Sequence, residues 1–107
     1  MNYHSLLKVI AIALISAVSF FSNAEPTWID VRSAAEHKLS HIDGDLRITH
    51  TDIVEKVNEL FPSKDHEIRL YCRSGYRANI ALEALQAAGY TNVSNAGGIE
   101  DARKERG

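Results

Sequence analysis

The chain holds a single cysteine, and its neighbours give it a chemistry. Cys72 stands in the run Leu70-Tyr71-Cys72-Arg73-Ser74-Gly75-Tyr76-Arg77. A thiol between a strand end and a helix start, with two arginines close behind it, is placed to react. Backbone N–H groups at a helix start and nearby cations both favour thiolate, the nucleophilic form. The N–H groups from Arg73 to Arg77, Ser74 among them, would form a cup for an anion. Gly75 would let that cup curl, through a positive φ or through close approach of another segment. Arg73 and Arg77 can each fork onto the oxygens of an anionic ligand, or instead onto a neighbouring carboxylate. Tyr76 lines the mouth of the pocket or is a plain surface aromatic. The competing reading is an inert buried cysteine, the commoner fate of a lone thiol.

The elements around the loop can be read from spacing. Thr27 to Val31 is a short apolar run suited to a buried strand, and Ser33 caps a short helix to Lys38. Leu46 to Ile48 makes a second, short strand. Ile53, Val54, Val57, Leu60 and Phe61 fall on one helical face, opposite Asp52, Glu55, Lys56 and Glu59, and Pro62 stops that helix. Ile68 to Tyr71 is the strand that delivers Cys72. Ile80, Ala81, Ala84, Leu85 and Ala88 form the stripe of a second long helix, which Gly89 terminates. Asn92 to Asn95 is a last short strand. Strands alternating with helices predict an α/β fold, a small parallel sheet with helices on both faces. Sites in such sheets form beyond the carboxyl ends of strands, where Cys72 lies. No linker, repeat or low-complexity stretch divides the chain, so one domain is expected.

These residues resemble a known family. Cys72-Arg73-Ser74-Gly75-Tyr76-Arg77 is similar to the six-residue active-site loop of the rhodaneses, a family of sulfurtransferases. Trp28-Ile29-Asp30-Val31-Arg32 resembles the family's first strand with its Asp-Val-Arg signature. Glu36 followed by His41-Ile42-Asp43-Gly44 resembles the second signature, and Asn95-Ala96-Gly97-Gly98-Ile99 the Gly-Gly turn near the domain's end. The resemblance covers nearly all of the chain after residue 25. It implies a rhodanese-like sheet, Cys72 as the catalytic nucleophile, and Arg73, Ser74, Gly75, Tyr76 and Arg77 as the substrate-binding loop. Asp30 and Arg32 would tie loops together rather than react. The spacing here is Cys-x4-Arg. Cysteine phosphatases and arsenate reductases use a wider Cys-x5-Arg loop, whose arginine would fall at Ala78. Two features depart from the family. Asp45 and Arg47 stand where Ala and Asn are usual, and the stop at Gly107 leaves little room for the usual last helix.

The beginning of the chain points to export. Lys8 is the only Lys, Arg, Asp or Glu before Glu25, Val9 to Ser22 is an apolar run, and Ser22-Asn23-Ala24 offers small residues to a signal peptidase. Residues 1–24 therefore read as a signal peptide for the periplasm, and 25–107 as the mature domain. A retained anchor is the alternative, although a membrane span wants about 20 apolar residues. Without Lys8 the domain carries 14 acidic and 11 basic residues, a net charge of −3. That balance, with no basic patch among aromatics, does not suggest a nucleic-acid partner. One cysteine allows no internal disulfide, so the core must come from apolar packing.

His37 and His41 lie four apart and could chelate a metal on a helix, but no third ligand is placed and the match to His-Ile-x-Gly argues for structure. His50 and His66 are isolated, and Asp65 and Glu67 read as solvated charge. The expectation is a thiosulfate sulfurtransferase without cofactor or metal. A small sulfur donor would load Cys72 as a persulfide, and cyanide or a thiol would unload it in a second half-reaction. The rival readings are a non-enzymatic sulfane-sulfur carrier for a protein partner and, disfavoured by loop length, a small phosphatase or arsenate reductase.

Overall fold

The computed structural model describes residues 25–107; the expected signal peptide, residues 1–24, lies outside the described residues. Eight elements follow in order: β1 (Thr27–Asp30), α1 (Ala34–Leu39), β2 (Leu46–Arg47), α2 (Ile53–Leu60), β3 (Ile68–Cys72), α3 (Tyr76–Ala87), β4 (Val93–Gly98) and α4 (Ile99–Arg106). The strands form one parallel sheet in the order β2-β1-β3-β4. β3 therefore sits inside the sheet, and Cys72 leaves from its carboxyl end.

Period-two alternation sorts the strand residues between two faces. Ile29, Val31, Ile68, Leu70 and Cys72 face one side, where Ile53 and Val57 of α2 and Ala78, Ala81 and Leu85 of α3 complete the main core. Trp28 and Tyr71 belong to a smaller cluster with Ile99 and Ala102 of α4. Helices thus cover both faces, as the alternating pattern predicts. α1 starts on a capping box. The Glu36 N–H donates to Ser33 Oγ at 3.2 Å, and the Ser33 N–H donates to Glu36 Oε1 at 3.1 Å. α2 stops before Pro62, as expected, with the Phe61 N–H bonded to the Val57 carbonyl at 2.7 Å.

Three expectations change. The buried face of α3 is Ala78, Ala81 and Leu85, and Ile80 is 38% exposed. So many alanines leave the apolar stripe weakly defined, and the helix is turned to set its smallest side chains against β3. β4 runs on to Gly98 instead of ending at Asn95, because Gly98 pairs with Cys72. Finally, the tail does form a helix. α4 places Glu100 and Asp101 in its first turn and Arg103, Lys104 and Arg106 in its last, the arrangement that suits a helix dipole.

Among the described residues, the unusual Asp45 is one of two ionic fastenings of that helix, the other being Arg69 of β3 on Glu105. Arg106 donates to Asp45 Oδ2 at 2.6 Å and Oδ1 at 3.0 Å, and its guanidinium lies 4.4 Å over the Trp28 ring. The Tyr71 hydroxyl donates to the same Asp45 at 2.6 Å. Burial, reinforced by that carboxylate, pushes the Tyr71 phenol far above its ordinary range, so it remains a donor. Arg47, the other departure, reaches the Arg32 carbonyl at 3.5 Å.

Asp45→Asn should therefore loosen α4 more than a surface change would. Two charge-assisted hydrogen bonds weaken at a nearly buried site, so a loss of about 2 kcal/mol and a melting temperature lower by roughly 10 °C are expected. Thermal unfolding of both proteins measures this. An unchanged melting temperature would mean that the Asp45 contacts do not hold α4.

Candidate active site

The site is built where β3 ends. Cys72 is 1% exposed, and the chain turns through Arg73, Ser74 and Gly75 before α3 begins. Gly75 has φ of 101°, the left-handed region that L side chains rarely adopt. Its N–H donates back to the nucleophile, Cys72 Sγ, at 2.9 Å. The Gly75 carbonyl accepts from the Asn79 N–H at 3.0 Å and from Asn95 Nδ2 at 3.0 Å. Asn95 also accepts from the Gly97 N–H at 2.8 Å, so one side chain of β4 holds both the loop and the turn beside it.

The Gly-Gly turn is the back wall of the loop. A Cβ on Gly98 would lie 2.4 Å from the Arg73 carbonyl oxygen. A Cβ on Gly75 would meet the Gly97 Cα at 3.4 Å. Of the two uses of Gly75 that the sequence leaves open, the positive φ is the one realised, since a Cβ there would make only an ordinary van der Waals contact.

The two loop arginines have different fates. Arg77 forks onto Glu36, donating to Oε1 at 2.7 Å and Oε2 at 2.8 Å. The bond to Arg77 holds the Glu36 carboxyl well below the usual carboxylate range, and Glu36 in turn raises the Arg77 guanidinium. The carboxylate alternative is thus the one realised at Arg77. Arg73 makes no side-chain hydrogen bond or ion pair with any described residue. Ser74 is exposed beside it, and Tyr76, 75% exposed, lies at the outer edge of the loop.

Behind α1 the buried pair Asp30 and Arg32 joins three segments. Arg32 donates to Asp30 Oδ1 at 3.0 Å and Oδ2 at 2.8 Å, and to the Ser40 carbonyl at 2.7 Å. The pair braces β1 against the end of α1, the tying role that the resemblance implies. A cleft of about 480 Å³ opens between α1, the loop and α4, lined by Arg32, Glu36, Leu39, Ser40, Arg73, Ile99, Glu100 and Arg103. His37 and His41 stack at 4.3 Å, and His41 also reaches Asp43 at 2.9 Å. Sequence reasoning gave no bonded role to Glu36 or Asn95. The Ser33-x-x-Glu36 box was visible, but its partner lies 41 residues away. The α4 wall of the cleft was not expected, although Glu100 and Asp101 followed by Arg103, Lys104 and Arg106 could have signalled it.

A family model described as "Rhodanese-like domain" matches residues 17–105. The chain is 33% identical to the thiosulfate sulfurtransferase PspE of Escherichia coli over 93 residues, 87% of this chain and 88% of that protein. Among solved structures, a rhodanese with anions from E. coli superposes with a TM-score of 0.68 at 34% identity, covering 72% of this chain and 91% of that one. A rhodanese-like domain from Anabaena gives a TM-score of 0.67 at 26% identity, covering 78% and 94%. The fold is therefore rhodanese-like.

Two predictions follow from this geometry. Gly98→Ala puts a methyl group against the Arg73 carbonyl, and backbone there cannot yield cheaply. Urea unfolding should show a loss of about 1–3 kcal/mol, and an unaffected variant would mean that β4 does not confine the loop. Glu36→Gln should cost about 1 kcal/mol at neutral pH, since the pair is partly exposed. The sign of its pH dependence is set by the depressed Glu36 pKa. The stabilisation is complete above the carboxyl's unfolded value and fades as pH falls toward the lower folded one. The gap between wild type and Glu36→Gln should stay constant from about pH 7 to 5 and narrow below about pH 4. A gap that widened in acid would contradict the pairing.

Proposed function

Because the chain belongs to the rhodanese family, we propose that it is a thiosulfate sulfurtransferase that works in the periplasm. The observation that carries this reading is the Gly75 N–H aimed at Cys72 Sγ from within a six-residue loop. A loop this short surrounds one sulfur atom. The wider phosphatase loop would need its arginine at position 78, which is a buried alanine on α3.

In the first half-reaction the Cys72 thiolate attacks the outer sulfur of thiosulfate. A bond forms between Sγ and that sulfur, the sulfur–sulfur bond of the donor breaks, and sulfite leaves with the electron pair. The persulfide then stands where backbone N–H groups of the loop can donate to it. In the second half-reaction cyanide or a thiolate attacks the outer sulfur, and the electron pair returns to Sγ. No cofactor or metal enters either step. Arg73, unengaged by described residues, meets the sulfonate oxygens of the donor. Arg77 acts through Glu36 by holding the loop in place, while Ser74 and Tyr76 contribute backbone to the cup. The residues before Glu25 would direct export, with cleavage after Ala24. Among the described residues no helix is long and apolar enough to cross a membrane.

Cys72→Ser should abolish turnover and leave the fold intact, since the chain has no second thiol. Intact mass with and without thiosulfate provides the test: wild type should gain one sulfur and Cys72→Ser none. A mutant that still turned over thiosulfate would remove Cys72 from the mechanism. Loading without multiple turnovers on small acceptors would favour a sulfur carrier over an enzyme.

A further inference from the structure

Asn95 stands inside β4, in a strand position where its residue type is uncommon. It pairs with Leu70, while Gly98 pairs with Cys72. Ala96 and Gly97 therefore stand opposite Tyr71 alone, an extra residue of the kind that bends a strand and re-aims its side chains. Both ends of the Asn95 amide are used. Only its oxygen can accept from the Gly97 N–H, at 2.8 Å, and that fixes Nδ2 as the group donating to the Gly75 carbonyl at 3.0 Å.

The Gly75 carbonyl has a partner besides Asn95. It accepts from the Asn79 N–H at 3.0 Å, a bond that starts α3 without help from β4. The same carbonyl and the Tyr76 N–H are the two ends of one planar peptide unit. Tyr76 is the first residue of α3, so its N–H has no acceptor within the helix. A second bond on the carbonyl holds the plane of that unit and draws charge toward the oxygen, which makes the N–H a stronger donor.

Loading with sulfur calls for such a donor. The Cys72 thiolate and the thiosulfate dianion become a persulfide anion and a sulfite dianion, so one negative charge ends on the sulfur left in the loop. The Gly75 N–H already meets Sγ. The outer sulfur lies one bond farther out and needs a donor of its own. We propose that Asn95 is a positioning residue for sulfur transfer, acting through the Gly75–Tyr76 peptide to orient and strengthen the Tyr76 N–H as the donor to that outer sulfur. This rests on the sulfur-transfer reading above.

The test follows loading of the reduced protein in single turnovers, by rapid quenching and intact mass, over a range of thiosulfate concentrations. Removing a preorganised donor outright costs about a hundredfold or more, so the indirect loss in Asn95→Ala should lower the limiting loading rate about tenfold. The thiosulfate concentration that gives half of that rate should change by less than about twofold, since Arg73 meets the donor's oxygens. Asn95→Asp keeps the side chain's size and its acceptor for the Gly97 N–H, but at neutral pH it offers the Gly75 carbonyl no donor. It should load at least as slowly as Asn95→Ala. Loading at the wild-type rate in either variant would overturn the role of Asn95 alone, and so would a loss in Asn95→Ala confined to the half-saturating concentration. Thermal unfolding establishes that the variants are folded at the assay temperature. Failure of both to fold would make Asn95 a residue of the fold only and would also overturn the proposal. Wild-type protein that gained no sulfur from thiosulfate would overturn the sulfur-transfer reading and this role with it.

Discussion

The site depends on one close approach between backbones. The Arg73 carbonyl occupies the space that a side chain on Gly98 would fill, 2.4 Å from where its Cβ would be. Because β4 can come this near, Gly98 pairs with Cys72 and Asn95 reaches the Gly75 carbonyl. Those contacts hold the loop so that the left-handed Gly75 starts α3 while its N–H meets the sulfur. Few side chains take part. The geometry around the nucleophile is set mainly by main-chain atoms, whose positions are stiffer than those of side-chain donors and need no reorganisation during reaction.

Charge then holds the surrounding elements to this frame. α1 has no buried residue, so packing cannot fix it. It is held by ionic and polar contacts: Glu36 to Arg77, Arg32 to Ser40, and Arg103 to Ser40. α4 has a modest apolar face of Ile99 and Ala102 and gains its second anchor through Asp45. Such pairs are weak when fully exposed and stronger where solvent is partly excluded. Asp45, with a side chain only 6% exposed, is of the second kind.

What could be read from the sequence was local. The strand before Cys72, the Ser33 cap, the stop at Pro62 and the alternation of strands and helices all write their signals within a few residues. The loop could be recognised for the same reason, and so could the choice open to its arginines. Which choice Arg77 takes was hidden, because Glu36 is 41 residues away and nothing in either neighbourhood marks the pair. α4 was missed because little chain follows the Gly-Gly turn, only Ile99 and Ala102 of the helix are buried, and its ionic partners Asp45 and Arg69 lie far away in sequence. Ile80 was misplaced because an alanine-rich helix carries little periodic contrast.

The joining of Asp45 to Arg106 spans 61 residues of chain. Contacts between such distant positions close large loops and tend to form late in folding. Until β4 and α4 have docked, nothing supplies the wall behind Arg73 or the Asn95 bridge. The thiol of Cys72 is then exposed, without the loop that encloses it in the finished domain. A thiol outside that enclosure is open to oxidation or to pairing with another chain. Docking of β4 is therefore what encloses the thiol, and α4 completes the shape of the cleft beside it.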